Sequence, residues 1–225
     1  MIVSSVRSRR LTRSVTRSFA LSVSIAAFSG SFALAGAQAS AGAVPLVGNG
    51  GFETPVTQTQ AFYDTGTTIG EWKVTAGSVD LIGPGLWQAA RGRQSLDLSG
   101  NRRGTIEQTI ATTPGRCYTV TFALAGNTFG APAVKTGYAR VAQGLLLTQK
   151  NFRFDTTGRS PQNMGYVWER FTFCAQESSA VLSLTSTTDG VYGPAIDDVV
   201  VIPRPRCVGI GLDLGAGSEE TTKDG

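Results

Sequence analysis

Cys117-Tyr118-Thr119-Val120-Thr121-Phe122-Ala123-Leu124 places large side chains at every second position and small or hydroxylated ones between them. Side chains along a strand point alternately to opposite faces, so Tyr118, Val120, Phe122 and Leu124 are expected to enter a core while Thr119, Thr121 and Ala123 face away. Thr113-Pro114-Gly115 supplies the turn before this strand, because Pro fixes φ and Gly accepts conformations that other residues avoid.

Outward from that strand the pattern repeats. Strands are predicted over residues 78–82, 94–98, 104–110, 137–141, 150–154, 166–174, 180–185 and 195–202, separated by Gly, Pro, Asn and Asp. No long stretch carries a helical stripe. Many short strands without intervening helices predict an all-β fold, an antiparallel β-sandwich. In the last strand, strict alternation sets Asp198 on the face of Ile196, Val200 and Ile202, and Asp197 on the face of Val199 and Val201.

The start of the chain has a different character. Five arginines lie between Arg7 and Arg17, a mostly apolar run covers residues 19–36, and Ala37-Gln38-Ala39 has the small-x-small form of a cleavage site. This is the layout of a secretory signal peptide over residues 1–39, with the working protein beginning near Ser40 outside the cytoplasm. Ser22, Ser24, Ser29, Gly30 and Ser31 interrupt the apolar run, which argues against a bilayer span, and no membrane insertion is expected once the signal is removed. The whole chain has 20 basic and 16 acidic residues; the first 39 positions hold five of the arginines and no acid, which leaves 15 basic against 16 acidic beyond them. The basic balance therefore belongs to the targeting segment, and without a Lys or Arg cluster on a recognisable element no nucleic-acid partner is expected. The sandwich is assigned to residues 40–206, and the Gly-rich segment 207–225 reads as a flexible tail.

Three cysteines in an oxidising compartment point to a disulfide. Cys117 and Cys174 both fall inside the folded unit and are the favoured pair. Cys174 with Cys207 is the alternative, should the strand geometry carry the first two to opposite rims. The chain has no His, which removes Ser-His-Asp and Cys-His catalysis and histidine-ligated zinc. A carboxylate-only glycosidase survives, with Glu53, Asp80, Asp97, Glu107, Glu169, Asp197 and Asp198 as material, but it requires a carboxyl separation that sequence does not show. The expectation is a protein that is not an enzyme.

An ordered series of short motifs runs through the chain: Asn49-Gly50-Gly51-Phe52-Glu53, Gly70-Glu71-Trp72, Gly77-Ser78-Val79-Asp80-Leu81, Gln94-Ser95-Leu96-Asp97-Leu98, Gly104-Thr105-Ile106-Glu107-Gln108 and Gly193-Pro194-Ala195-Ile196-Asp197-Asp198-Val199. In order and spacing these resemble the DUF642 proteins, and more closely their bacterial relatives called choice-of-anchor C proteins. The resemblance implies a galactose-binding-like jelly roll, a secreted or surface location, and a cell-wall or extracellular polysaccharide as partner. It defines no reaction.

Two candidate sites follow. Asp197 and Asp198 precede a run of aliphatic residues, and a buried carboxylate is costly without a partner. One reading has an Asp capping loop amides at the strand's rim. The other is structural Ca²⁺ held by Glu53 with Asp197 or Asp198, as the resemblance to calcium-binding carbohydrate modules implies. For a sugar, an aromatic plane meets the apolar C–H face of the ring and amides meet its hydroxyls. Trp72, Trp87, Tyr166 and Tyr192 are the candidate planes, each with a core role as the plainer reading; Asn101, Asn127, Gln162 and Asn163 are the candidate amides. Trp87, in the polar segment 83–92, is the chosen platform, with Asn101 and Asn163 as its partners, while Trp168 is set aside because it begins a strand. A glycan-binding module and a structural or interaction protein of the cell surface are the two competing functions.

Overall fold

The computed structural model describes residues 46–204, so the expected signal over 1–39, Cys207 and the tail over 207–225 lie outside the described residues. The strands are β1 (Gln60–Asp64), β2 (Thr68–Ile69), β3 (Trp72–Ala76), β4 (Ser78–Ile82), β5 (Ser95–Asp97), β6 (Thr105–Ala111), β7 (Cys117–Gly126), β8 (Val134–Gln143), β9 (Leu146–Asp155), β10 (Val167–Cys174), β11 (Ser179–Ser186) and β12 (Pro194–Pro203). They form two six-stranded antiparallel sheets, ordered β1-β4-β5-β12-β7-β10 and β2-β3-β6-β11-β8-β9. The chain passes repeatedly from one sheet to the other, in the manner of a jelly roll. Among the described residues no helix is long and apolar enough to cross a membrane.

The alternation in β7 has the expected consequence. Tyr118, Val120, Phe122 and Leu124 are buried between the sheets, and Phe122 meets Phe152 edge-on at 5.7 Å between ring centroids. All nine predicted strands are present within a few residues. β1, β2 and β3 were not predicted, because they are short, rich in Gln, Thr and Lys, and broken by the turn at Thr65-Gly66-Thr67. Trp72 on β3 is fully buried and its indole N–H donates to the Asn49 carbonyl at 3.2 Å, so it is a core residue and not a sugar platform.

Strict alternation fails in β12. Ile196 pairs with Leu124 and Val201 with Val120, both buried although five positions separate them. The register shifts between Asp197 and Val200, and Asp198 there has a φ of 45°. This bulge adds a residue to the strand and returns Val201 to the core face, which a uniform period of two cannot do. Cys117 and Cys174 face each other across the β7–β10 ladder and are disulfide-bonded, because antiparallel pairing brings the start of one strand to the end of the other.

The two sheets differ on their outer faces. β8 alternates half-buried and buried residues, leaving Thr136, Tyr138 and Arg140 on an open face. β4 is buried on both sides: Val79 and Leu81 enter the core, while Ser78, Asp80 and Ile82 are covered from outside. Leu86, Trp87 and Phe129 border Asp80 and Ile82, and Gly100-Asn101 lies over Ser78, whose Oγ accepts the Asn101 amide at 2.9 Å. At one end of the body the Leu46 amide donates to the Val201 carbonyl at 3.2 Å, joining the first described residues to the last strand.

Candidate functional site

Asp80 on β4 and Asp97 on β5 are cross-strand partners, so both side chains stand on the outer face of the first sheet. Asp97 is 1 % exposed and satisfied: it accepts from Asn127 Nδ2 at 2.7 Å, from the Ser99 amide at 2.8 Å and from the Gly193 amide at 3.1 Å. Burial pushes its carboxyl up to about 7 against those hydrogen bonds, with the charge of Asp80 adding to the rise. Asp80 is 7 % exposed; Oδ2 accepts from Gln60 Nε2 at 2.8 Å, and the buried Oδ1 has no partner. Burial pushes Asp80 up to about 6, opposed by the Gln60 bond.

Above this pair lies a groove of 430 Å³, lined by Gln60, Asp80, Asn101 and Asn127 on its polar side and by Phe129 and Tyr192 on its aromatic side, with Trp87 beneath. Each wall has a reason in the sequence. Asn127-Thr128-Phe129-Gly130 leaves the end of β7, and Asn127 accepts the Phe129 amide at 2.9 Å, which turns the chain and projects Phe129 outward. Phe129 is 52 % exposed and stacks on Trp87 with centroids 6.2 Å apart. The Lys135 ammonium donates to the Gly130 carbonyl at 2.8 Å and lies 5.9 Å from the Tyr192 ring centre; burial lowers its proton affinity and the charge of Asp97 raises it.

Trp87 itself differs from the open platform expected from sequence. It is 3 % exposed, and its indole N–H donates to Ser95 Oγ at 2.8 Å. The Tyr166 hydroxyl reaches the same Ser95 oxygen at 3.0 Å, and burial pushes that phenol up. Ser95 anchors the indole on the outer face of the sheet and Phe129 stacks on its ring, so the indole is the floor of the groove and Phe129 covers it. Asn101 lines the groove wall. Asn163 does not: it closes a tight turn with Ser160 and lines neither this groove nor the neighbouring one, a 550 Å³ hollow between the 84–93 segment and Pro161-Gln162. Phe129 and Gln60 escaped the sequence reading, because Phe129 follows the firmest strand without any periodic signal and Gln60 lies on an unpredicted one. Trp168, set aside from sequence, is 54 % exposed with the Arg91 guanidinium 5.5 Å from its ring centre.

The acidic trio gathers around the 88–94 loop. Asp197 is fully buried; Oδ2 accepts the Ala90 and Arg91 amides at 2.8 and 2.9 Å, and Oδ1 accepts the Asp198 amide at 2.6 Å. Burial pushes its carboxyl up to about 7 against those backbone bonds. Glu53 Oε1 accepts the Arg93 and Gln94 amides at 2.8 and 3.0 Å. Gly92 makes this approach possible, since a Cβ there would collide with the Glu53 carboxylate. Asp198 is turned outward at the bulge and pairs with Arg91 Nε at 2.9 Å. The rim-capping role is thus present in the geometry. Glu53 and Asp197 flank Gly51, and their all-oxygen chemistry suits a hard cation. Those two residues would hold it, whereas the Arg91 pairing draws Asp198 away; among the described residues no three ligating side chains form a metal cluster.

Halomucin of Haloquadratum walsbyi is 30 % identical to this chain over 166 residues, a match that covers 70 % of the chain and 2 % of that much longer protein. Similar solved structures include TmCBM61 in complex with β-1,4-galactotriose, at 14 % identity, 72 % coverage of this chain and 100 % of that one, with a TM-score of 0.49. The CBM22-1 xylan-binding domain from Paenibacillus barcinonensis is 17 % identical, with 66 % and 97 % coverage and a TM-score of 0.40. Residues 45–202 match the family model described as protein of unknown function (DUF642), and the chain belongs to that family.

Proposed function

We propose that this protein is an exported, non-catalytic carbohydrate-binding module for a cell-wall or extracellular polysaccharide, of the choice-of-anchor C kind, with residues 1–39 as a cleaved signal, 40–206 as the binding domain and 207–225 as a tail. The observation that carries the reading is the 430 Å³ groove, where Phe129 and Tyr192 offer ring faces beside the planar polar groups of Gln60, Asn101 and Asn127. Apolar planes with a few convergent hydrogen-bonding groups are what a sugar ring requires. The Cys117–Cys174 bond suits an oxidising compartment. Hydrolysis has poor support, since Asp97 is 1 % exposed and engaged in three hydrogen bonds, leaving no second free carboxyl beside Asp80.

The test is a glycan array of wall and matrix polysaccharides followed by calorimetric titration of the native protein, Phe129→Ala and Asn101→Ala. Phe129→Ala should weaken binding roughly tenfold, as truncation of an aromatic anchor does. Released reducing sugar would instead make the protein an enzyme, and absence of binding to every polymer would favour the second reading, an interaction protein. That second reading has its own support in Leu145, Leu146 and Leu147, three exposed leucines at the β8–β9 tip. N-terminal sequencing of exported material should find a start within a few residues of Ser40.

A further inference from the structure

The groove is not neutral toward the charge of its ligand. Asp80 is its only ionisable acid or base, apart from the Tyr192 phenol, and Asp97 lies beside it across the strand pair. None of the lining residues is a cation; Arg102, next in sequence to Asn101, pairs with Asp64 at 2.6 Å, Arg103 with Asp189, and Lys135 with the Gly130 carbonyl. Lys135 is fully buried, so its charge offsets Asp97 from within without offering a donor to a ligand. The Asp80 carboxylate borders the groove with 7 % of the residue exposed, while its Oδ1 is shielded from solvent and out of a ligand's reach.

We infer that the groove takes a sugar that sets a hydroxyl or amine hydrogen toward the Asp80 carboxylate, and that it excludes carboxylated and sulfated glycans. This rests on the glycan-binding reading above and narrows its substrate class. A hydroxyl donated to a carboxylate makes a charge-assisted bond, whereas a uronate at the same place sets like charges together in a partly dry groove. Asn101 and Gln60 complete the polar wall without adding a positive charge that would relieve the repulsion.

The experiment uses the full chain with galactan, mannan and β-glucan oligosaccharides, each compared with its counterpart oxidised at C6 to the uronate, by titration at low salt and pH 8. The neutral form should bind roughly tenfold or more tightly than the uronate. Asp80→Asn should shrink that gap to about twofold, because the amide removes the charge. Where Asp80→Asn melts early, Asn101→Lys at the exposed rim gives the same test from the other side, since an added cation should raise uronate affinity selectively. A uronate that binds as well as its neutral parent overturns the inference while the glycan reading stands. A gap that survives both substitutions overturns the assignment to Asp80. Failure of both series to bind removes the glycan reading and this inference with it.

Discussion

Trp87 and Phe129 touch, yet they should answer truncation in opposite ways. Trp87 is 3 % exposed and packed on the sheet, so Trp87→Ala should cost about 3–5 kcal/mol in a urea titration. Phe129 is 52 % exposed, and its removal should leave stability within about 1 kcal/mol while weakening glycan binding. The sequence made Trp87 visible as an aromatic in a polar segment but not its burial, which depends on Ser95 of β5 and Phe129 of the loop after β7 meeting it. Asp80 and Asp97 give a second prediction at this scale. Their folded-state values of about 6 and about 7 stand above the ordinary value of 3.8, so the folded protein binds more protons than the unfolded chain between those limits. Their contribution to stability is therefore greatest below about pH 4 and is lost as pH rises through 7. The urea midpoint should fall between pH 5 and pH 8, and Asp97→Asn should flatten that slope; a midpoint that rises over the interval would refute the assignment.

At the level of elements, the β7–β10 pair is both the most legible part of the chain and the easiest to test. β10 is an edge strand, and the Cys117–Cys174 bond ties its end to the start of β7 across 57 residues of chain. Replacing both cysteines by Ser should lower stability by roughly 2–4 kcal/mol in guanidinium titration. The pairing could be favoured from sequence because both residues bound strong strands, but the antiparallel register that aligns them is a tertiary fact. The bulge in β12 was illegible for the same reason: nothing in Asp197-Asp198-Val199-Val200-Val201 marks where an extra residue is accommodated. The loop latched by Glu53 and Asp197 carries the calcium prediction. If the two carboxylates hold the cation, calorimetry should show a higher melting temperature in calcium than in chelator, because a ligand bound only to the folded state stabilises it by mass action. Equal melting temperatures from metal-free protein would leave the four loop amides and the Asp198 amide as the only partners these carboxylates need.

Across the whole molecule, the all-β sandwich was legible because period-two alternation and turn residues are local signals that survive without knowledge of contacts. The groove was half legible. Asn101, Asn127 and Tyr192 were among the candidates, but the walls come from segments as distant as Gln60 and Tyr192, and no spacing rule joins them. The hydrogen bond from Leu46 to the Val201 carbonyl carries a consequence for how such a body can be used. Entry and exit lie side by side, so the sandwich can be spliced into a longer polypeptide as a bead on a string, its neighbours kept close. The same adjacency should tolerate rewiring. A circular permutant that joins residue 204 to residue 46 through a short Gly-Ser bridge and opens at the exposed Thr157-Gly158 turn should fold with an unchanged far-ultraviolet spectrum. Loss of the β signal in that permutant would mean that the two ends must be held by more than their neighbourhood.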